Sequence, residues 1–240
     1  TPDHLDRYSK FSDYISSKLS IYKYCQFSTV NLDVDLANGV DGDNYYGIES
    51  SNLRCDFIAK QNGNTYEVFH KGNRLITSDD LKVVGRHNIE NLLAALTLGY
   101  RFGLSLKVMT QAAIDFKGLE HRLEFVSTIN NIDYYNDSKS TNAISTITAI
   151  NALFEKYNNL TLIAGGISKK EDYSELFKLI NEKVNAVVLI GECSSDFSKQ
   201  ITAPHVEVVK SMKKAASMAT SMAEGGAVLL SPGCASFDMF

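Results

Sequence analysis

The sequence predicts an α/β protein in two parts: a β-rich layer closed by helices, then an open, mostly parallel sheet whose strands alternate with helices. Three observations carry the prediction. Residues 45–84 hold short β-like runs broken by Gly and Asn turns, residues 88–102 repeat apolar side chains at helical spacing, and after Gly118 strand-like and helix-like segments alternate as far as residue 231. The two parts meet near Gly118, giving domains over 1–118 and 119–240.

Taken in order, Phe11, Tyr14, Ile15, Leu19 and Tyr22 recur at helical spacing and predict a helix over 9–22, followed by a strand over 26–34. Runs at 54–59 and 65–70 flank Asn62-Gly63-Asn64, a turn signal. Ile89, Leu92, Leu93, Leu96 and Tyr100 share one face of a helix over 88–102 that Gly103 stops, and a second helix occupies 106–116. Strands at 122–129 and 132–137 are joined by Asn130-Asn131, a favourable pair for a two-residue hairpin turn. Helices at 141–155, 173–183, 195–201 and 212–223 then alternate with strands at 160–164, 186–190, 206–209 and 227–231.

Composition narrows the function. The 240 residues carry 24 Lys plus Arg against 28 Asp plus Glu, a net charge of −4 with no basic block, which argues against a nucleic-acid coat. At 44% hydrophobic and 22% charged, with no apolar run near the roughly 20 residues a bilayer needs, the chain reads as soluble and globular. Cys25, Cys55, Cys193 and Cys234 form no CxxC pair, which fits a reducing, cytoplasmic setting. The chain opens without Met and closes in mid-motif, so it is expected to be a piece of a longer protein.

In an open parallel sheet, ligands bind beyond the carboxyl ends of the strands. Three of those ends are polar. Asn136-Asp137-Ser138-Lys139-Ser140-Thr141-Asn142 offers a carboxylate, a Lys and hydroxyls at a helix N-terminus, where free N–H groups and the dipole favour an anion. Gly165-Gly166-Ile167-Ser168-Lys169-Lys170 is a flexible turn with cations, and Ser231-Pro232-Gly233-Cys234-Ala235-Ser236 lets a ligand approach the backbone. Facing one crevice, they would take an anionic ligand. Each also has a plain structural reading: Asp137, Ser138 and Thr141 as helix caps, Lys169 as a solvated side chain, Cys234 as a packing residue.

In the first part, Lys18 falls at helical spacing with Phe11, Ile15 and Tyr22, on the apolar stripe. A Lys there either has a partner or a modification, or snorkels from the stripe's edge to water. His4, with Asp3 and Asp6, either supplies ligands of the kind Mg²⁺ prefers or is ordinary terminal surface. Asn88, with Asn91 one turn on, either caps its helix or binds a ligand. Neither a GxxxxGK[ST] loop nor a GxGxxG after a strand occurs, so nothing in the chain cradles a triphosphate by itself.

These segments resemble the Mur ligase family. The resemblance rests on Thr1-Pro2-Asp3-His4-Leu5-Asp6-Arg7-Tyr8, Ser17-Lys18-Leu19, Gly85-Arg86-His87-Asn88-Ile89-Glu90-Asn91, Gly118-Leu119-Glu120-His121-Arg122, the 136–142 segment, Gly165-Gly166 with Lys169, and 231–238. They stand in the family's order and span the chain, and the 136–142 and 231–238 segments resemble its D-glutamate-adding branch. The resemblance implies a partial central ATPase-type domain followed by a Rossmann-like C-terminal domain truncated at its end. It further implies a monomeric, cytoplasmic, ATP-dependent ligase of peptidoglycan synthesis that joins D-glutamate to UDP-N-acetylmuramoyl-L-alanine through an acyl phosphate. By the same resemblance, His4 and a carbamylated Lys18 hold Mg²⁺, Asn88 and Asn91 meet adenine, and Arg122 meets the phosphates. Asp137 then binds ribose, and Lys139, Thr141, Lys169, Ser236 and Phe237 hold D-glutamate. Lys18 and Arg122 would carry the catalytic part, and His121 would sit at the domain hinge.

The sequence departs from the family where Glu120 replaces the usual Pro and Gly233 the usual Ala, and it lacks the uridine-binding domain, P-loop and acidic metal ligand found upstream in the family. The chain alone is therefore expected not to turn over. Two other readings are a folylpolyglutamate synthase-like ligase and a non-catalytic nucleotide- or metabolite-binding module. The module leaves Lys18 and the His-Asn-x-x-Asn helix start unexplained.

Overall fold

In a computed structural model, which describes residues 8, 10–34, 40–49, 55–169 and 171–235, the chain divides into two units, Thr1–Lys82 with Arg86–Phe116 and Val83–Gly85 with Lys117–Phe240. No helix among the described residues is long and apolar enough to cross a membrane.

The first unit opens with helix α1 (Phe11–Leu19), continued by a 3-10 turn over Ser20–Lys23. Its sheet has the order β1 (Thr29–Asn31), β2 (Asn44–Ile48), β3 (Cys55–Asn62), β4 (Thr65–His70), β5 (Asn73–Thr77). The first three strands run parallel and the last two join antiparallel. Along β4, Tyr66, Val68 and His70 turn inward while their neighbours stay partly exposed, as a half-covered strand requires. Helix α2 (Arg86–Arg101) brings Ile89, Leu93 and Leu96 onto Phe57, Ala59 and Val68, and α3 (Leu106–Asp115) adds Met109. Strand β1 is shorter than the nine residues expected, for a local reason. The Asp43 carboxylate takes the Ser28 N–H at 2.8 Å, and the Asn31 side chain takes the Asp33 N–H at 2.9 Å, so side chains replace the ladder at both ends.

In the second unit, β6 (Glu124–Ile129) and β7 (Ile132–Asn136) form the expected hairpin, with Asn130 and Asn131 at φ 52° and 62°. Then follow α4 (Ala143–Phe154), β8 (Leu160–Gly165), α5 (Ser174–Lys183), β9 (Ala186–Ile190), α6 (Ser194–Phe197), β10 (His205–Val208), α7 (Met212–Met222) and β11 (Gly226–Leu230). Helix α6 is a single turn instead of the seven residues expected. Past it the backbone hydrogen bonds mix three- and four-residue spacings as far as Ile201, and the next N–H, that of Thr202, is taken by the Asn181 side chain at 2.7 Å.

Strand order is β10-β9-β8-β11-β7-β6, parallel throughout except for the edge strand β6. The chain steps outward from β8 to β10, and β11 then returns to fill the gap between β8 and β7. The crevice at such a reversal of strand order is where open parallel sheets bind ligands. Helices α4 and α5 cover one face over Ile150, Leu162, Leu176 and Leu189, and α7 covers the other over Ile163, Val188, Ala215 and Val228. Buried on both faces, β8 and β9 are continuous apolar runs broken only by Thr161.

Two polar features of this sheet predict measurable effects. The Thr161 hydroxyl is buried on β8 without a hydrogen-bond partner. Thr161→Val, which replaces it with a methyl of the same shape, is expected to raise the unfolding free energy by about 1 kcal/mol in urea titrations. At the opposite end of β7 from the strand-end crevice, burial pulls the Asp133 carboxyl upward, but hydrogen bonds from Thr128 and Tyr157, with the Lys156 charge, outweigh it and hold the group below its ordinary value. A depressed folded value means that Asp133 contributes fully above the unfolded carboxyl value of about 3.9 and loses that contribution as pH falls through the folded one. Asp133→Asn should flatten the acid limb of a plot of Tm against pH below about pH 4.

Candidate active site

Three chain segments converge beyond the carboxyl ends of β7, β11 and β8. Their hub is Asp137, 6% exposed. Its Oδ1 accepts the Leu123 N–H at 3.0 Å, and its Oδ2 accepts the Ser140 hydroxyl at 2.5 Å and the Ser231 hydroxyl at 2.9 Å. Ser231 also donates to Asp137 while lying 2.9 Å from the Thr146 hydroxyl on α4, and the Asp137 N–H reaches the Leu230 carbonyl at 2.7 Å. A charge taken this far out of water is tolerable only when its oxygens are met by donors, and here they come from the 121–123 loop, the β7 end and the β11 end.

The β8 end closes on the same segment by backbone contact. Gly165 donates to the Pro232 carbonyl at 2.9 Å, and Ile167 and Ala235 exchange hydrogen bonds at 2.7 and 3.0 Å. A Cβ on Gly165 would stand 2.0 Å from the Ile190 carbonyl oxygen, and one on Gly166 would stand 2.3 Å from that of Ala235, so the double glycine is set by clearance as well as by its positive φ. Beneath it lie Cys193 and Cys234, with sulfurs 3.5 Å apart and the Tyr173 hydroxyl 3.6 Å from Cys234. The adjoining Cys193 thiol and burial push the Cys234 thiol up, so it stays protonated and acts as a packing residue.

The rim above this base is cationic. Lys169 Nζ donates to the Thr141 hydroxyl at 3.2 Å, and Lys139 and Arg122 are exposed. Among the described residues none of the three makes an ion pair. Helix α4 is capped by Asn142, whose side chain accepts the Ser145 N–H at 2.9 Å, while the Glu171 carboxylate takes the Ala143 N–H at 3.2 Å. The helix cap is thus Asn142, and Asp137 ties strand ends instead. Ser140, Thr146 and Glu171 were not singled out by the sequence. The spacing of Asp137 to Ser140 was a readable cue, but Thr146 and Glu171 meet their partners only through the fold.

In the first unit, Asn88 and Asn91 stand one turn apart on α2, Asn88 half-buried and Asn91 exposed. Paired amides of this kind match the donor–acceptor edge of adenine. The stripe reading of Lys18 is corrected. No residue of α1 is buried, Lys18 is exposed, and its ammonium lies 5.5 Å from the centroid of the Tyr14 ring one turn back, so it needs no buried partner. His4, Ser236 and Phe237 lie outside the described residues. No group of three His, Cys, Asp or Glu side chains placed to hold a metal occurs among the described residues.

Fold and rim together define an α/β protein whose second unit is Rossmann-like with a cationic strand-end site. Two family models match it, the Mur ligase middle domain over residues 1–99 and the Mur ligase glutamate ligase domain over residues 121–234. The chain belongs to the Mur ligase family. It is 38% identical over 244 residues to the UDP-N-acetylmuramoylalanine–D-glutamate ligase of Marinobacter nauticus, covering 99% of this chain and 54% of that protein. It is 37% identical over 260 residues to that of Psychrobacter arcticus, covering 100% and 54%. The chain thus spans about half the length of the curated relatives it matches. Among solved structures it is similar to a UDP-N-acetylmuramate-alanine ligase from Thermotoga maritima, with TM-score 0.69 and 18% identity over 97% of this chain and 54% of that one. It is also similar to a MurF ligase from the same organism in complex with ADP, with TM-score 0.70 and 17% identity over 95% and 55%.

The Asp137 network predicts a stability effect. Asp137→Ala would strand one buried N–H and two hydroxyls and is expected to lower the unfolding free energy by about 3 kcal/mol. Chemical denaturation of the chain checks this, and a loss well under about 1 kcal/mol would show that the carboxylate is not the tie.

Proposed function

We propose that the whole protein is an ATP-dependent ligase that joins D-glutamate to UDP-N-acetylmuramoyl-L-alanine in peptidoglycan precursor synthesis. It works as a monomer in the cytoplasm, and cell-wall assembly, shape and division depend on its product. The observation that carries the reading is the rim of three cations that make no ion pair among the described residues, at adjoining strand ends, in a chain whose curated relatives are D-glutamate ligases. A substrate with two carboxylates, arriving beside a phosphorylated one, is the kind of ligand such a rim would neutralise.

ATP supplies the activation, converting the terminal carboxylate into an acyl phosphate that the D-glutamate amine attacks. The chain's own residues position and neutralise. Lys169, steadied by Thr141, meets a carboxylate of D-glutamate, with Lys139 alongside and Ser236 and Phe237 completing the pocket. Arg122 offsets charge on the transferring phosphoryl group. Asn88 and Asn91 read adenine, and Asp137 faces ribose with the little surface its internal bonds leave. His4 and Lys18 are the family's metal-side positions.

In the full-length protein, Lys169→Ala is expected to raise KM for D-glutamate by about 10- to 100-fold with the KM for ATP little changed. This chain alone, mixed with ATP, D-glutamate and UDP-N-acetylmuramoyl-L-alanine, should release no phosphate above background. Steady turnover by the chain alone would overturn the expectation that catalysis needs the rest of the protein, and an unchanged KM in the variant would overturn the role of the cationic rim.

A further inference from the structure

Arg122 sits between two residues whose backbone is left-handed, His121 at φ 65° and Leu123 at φ 46°. For a branched, bulky residue such as Leu this is a genuine outlier, and it persists only where surrounding bonds over-determine it. Here they do. The His121 N–H is taken by the Glu124 carboxylate at 2.9 Å, and the Leu123 N–H by Asp137 at 3.0 Å. The His121 carbonyl accepts the Lys139 N–H at 3.1 Å, and the Arg122 N–H reaches the Leu119 carbonyl at 3.2 Å. Around the ring, the Asn136 amide nitrogen lies 2.9 Å from His121 Nδ1 and 3.3 Å from the same Glu124 oxygen, so Glu124 holds the loop and its neighbour at once. All this fixes a backbone whose central side chain, Arg122, is exposed and makes no ion pair among the described residues.

We infer that Glu124 is a positioning residue: together with Asp137 it clamps a strained two-sided bend whose purpose is to present the Arg122 guanidinium in one orientation to an anion. Arg fixes such ligands by paired, planar hydrogen bonds, so the orientation of its backbone matters as much as its charge. Strain confined to the residues on either side of an uncompensated Arg is what presentation requires, whereas a loop serving stability alone would relax. The inference rests on the reading that Arg122 meets phosphate, and adds Glu124 and the bend at Leu123 as what makes that contact productive.

The test uses the full-length ligase and steady-state phosphate release, with Tm measured for every variant. Arg122→Ala first establishes the role of the guanidinium. Glu124→Gln keeps the shape of the side chain but weakens its hold on the His121 N–H, and is expected to lower kcat/KM for ATP by about 10- to 100-fold. In the Arg122→Ala background the same change should add almost nothing, because a clamp without its Arg has nothing left to orient. If Glu124→Gln lowers activity equally with and without Arg122, or only in step with Tm, its role is structural and the inference fails. If Arg122→Ala itself costs nothing, the phosphate reading of Arg122 fails instead. Faster hydrogen exchange of the His121 amide in Glu124→Gln would confirm that the clamp was loosened, and unchanged exchange would overturn it.

Discussion

A single carboxylate withdrawn from solvent organises the functional face of the second unit. Asp137 directly follows β7, and its hydrogen-bond donors come from three stretches of chain: the 121–123 loop, Ser140 three residues on, and Ser231 after β11. An ionised group in so little water is costly wherever one of these donors is missing, so the three stretches stabilise one another through it. The rim cations then follow from geometry. Lys139 lies two residues beyond the hub, Arg122 lies one residue before a donor to it, and Lys169 is brought in by the backbone pairing of Ile167 with Ala235.

The topology supplies the site's location and the side chains supply its sign. Strand β11 lies between β7 and β8, so the ends of these three strands are adjacent although the segments that follow them are separated by nearly the length of the unit. Beneath the rim the packing is apolar, with Leu162, Leu176 and Cys234 closed from water, and charge is confined to one edge of a low-dielectric body. That arrangement strengthens electrostatic attraction for an approaching anion compared with the same cations scattered over a solvated surface.

Much of this was legible in the sequence, and the exceptions have identifiable causes. Alternation of apolar runs with amphipathic stretches marked every strand and helix of the second unit, because a sheet covered on both faces writes continuous hydrophobic strands. The Asn130-Asn131 turn was equally readable, since few residue pairs accept two left-handed positions. Strand β1 was overestimated because side chains of Asn31 and Asp43 compete for the ladder, which periodicity does not record. At the site, the three polar strand ends were visible as motifs, but the direction of Asp137 was not. A carboxylate that caps a helix and one that ties strand ends look alike in sequence, and the identity of the donors decides between them. Lys18 was misread for a related reason: spacing defines a helical stripe, whereas burial depends on what packs against it, and no residue of α1 is buried.

The place of β11 has a consequence for how the unit comes into being. It follows all the other described strands in sequence, and the β6–β7 hairpin shares no ladder with the β8–β9–β10 half-sheet except through it. While the polypeptide is being synthesised, each half carries an unpaired inner edge until residues 226–230 leave the ribosome and stitch both together. Strand β11 thus acts as a keystone, which concentrates the risk of premature association between nascent chains into the interval before its arrival.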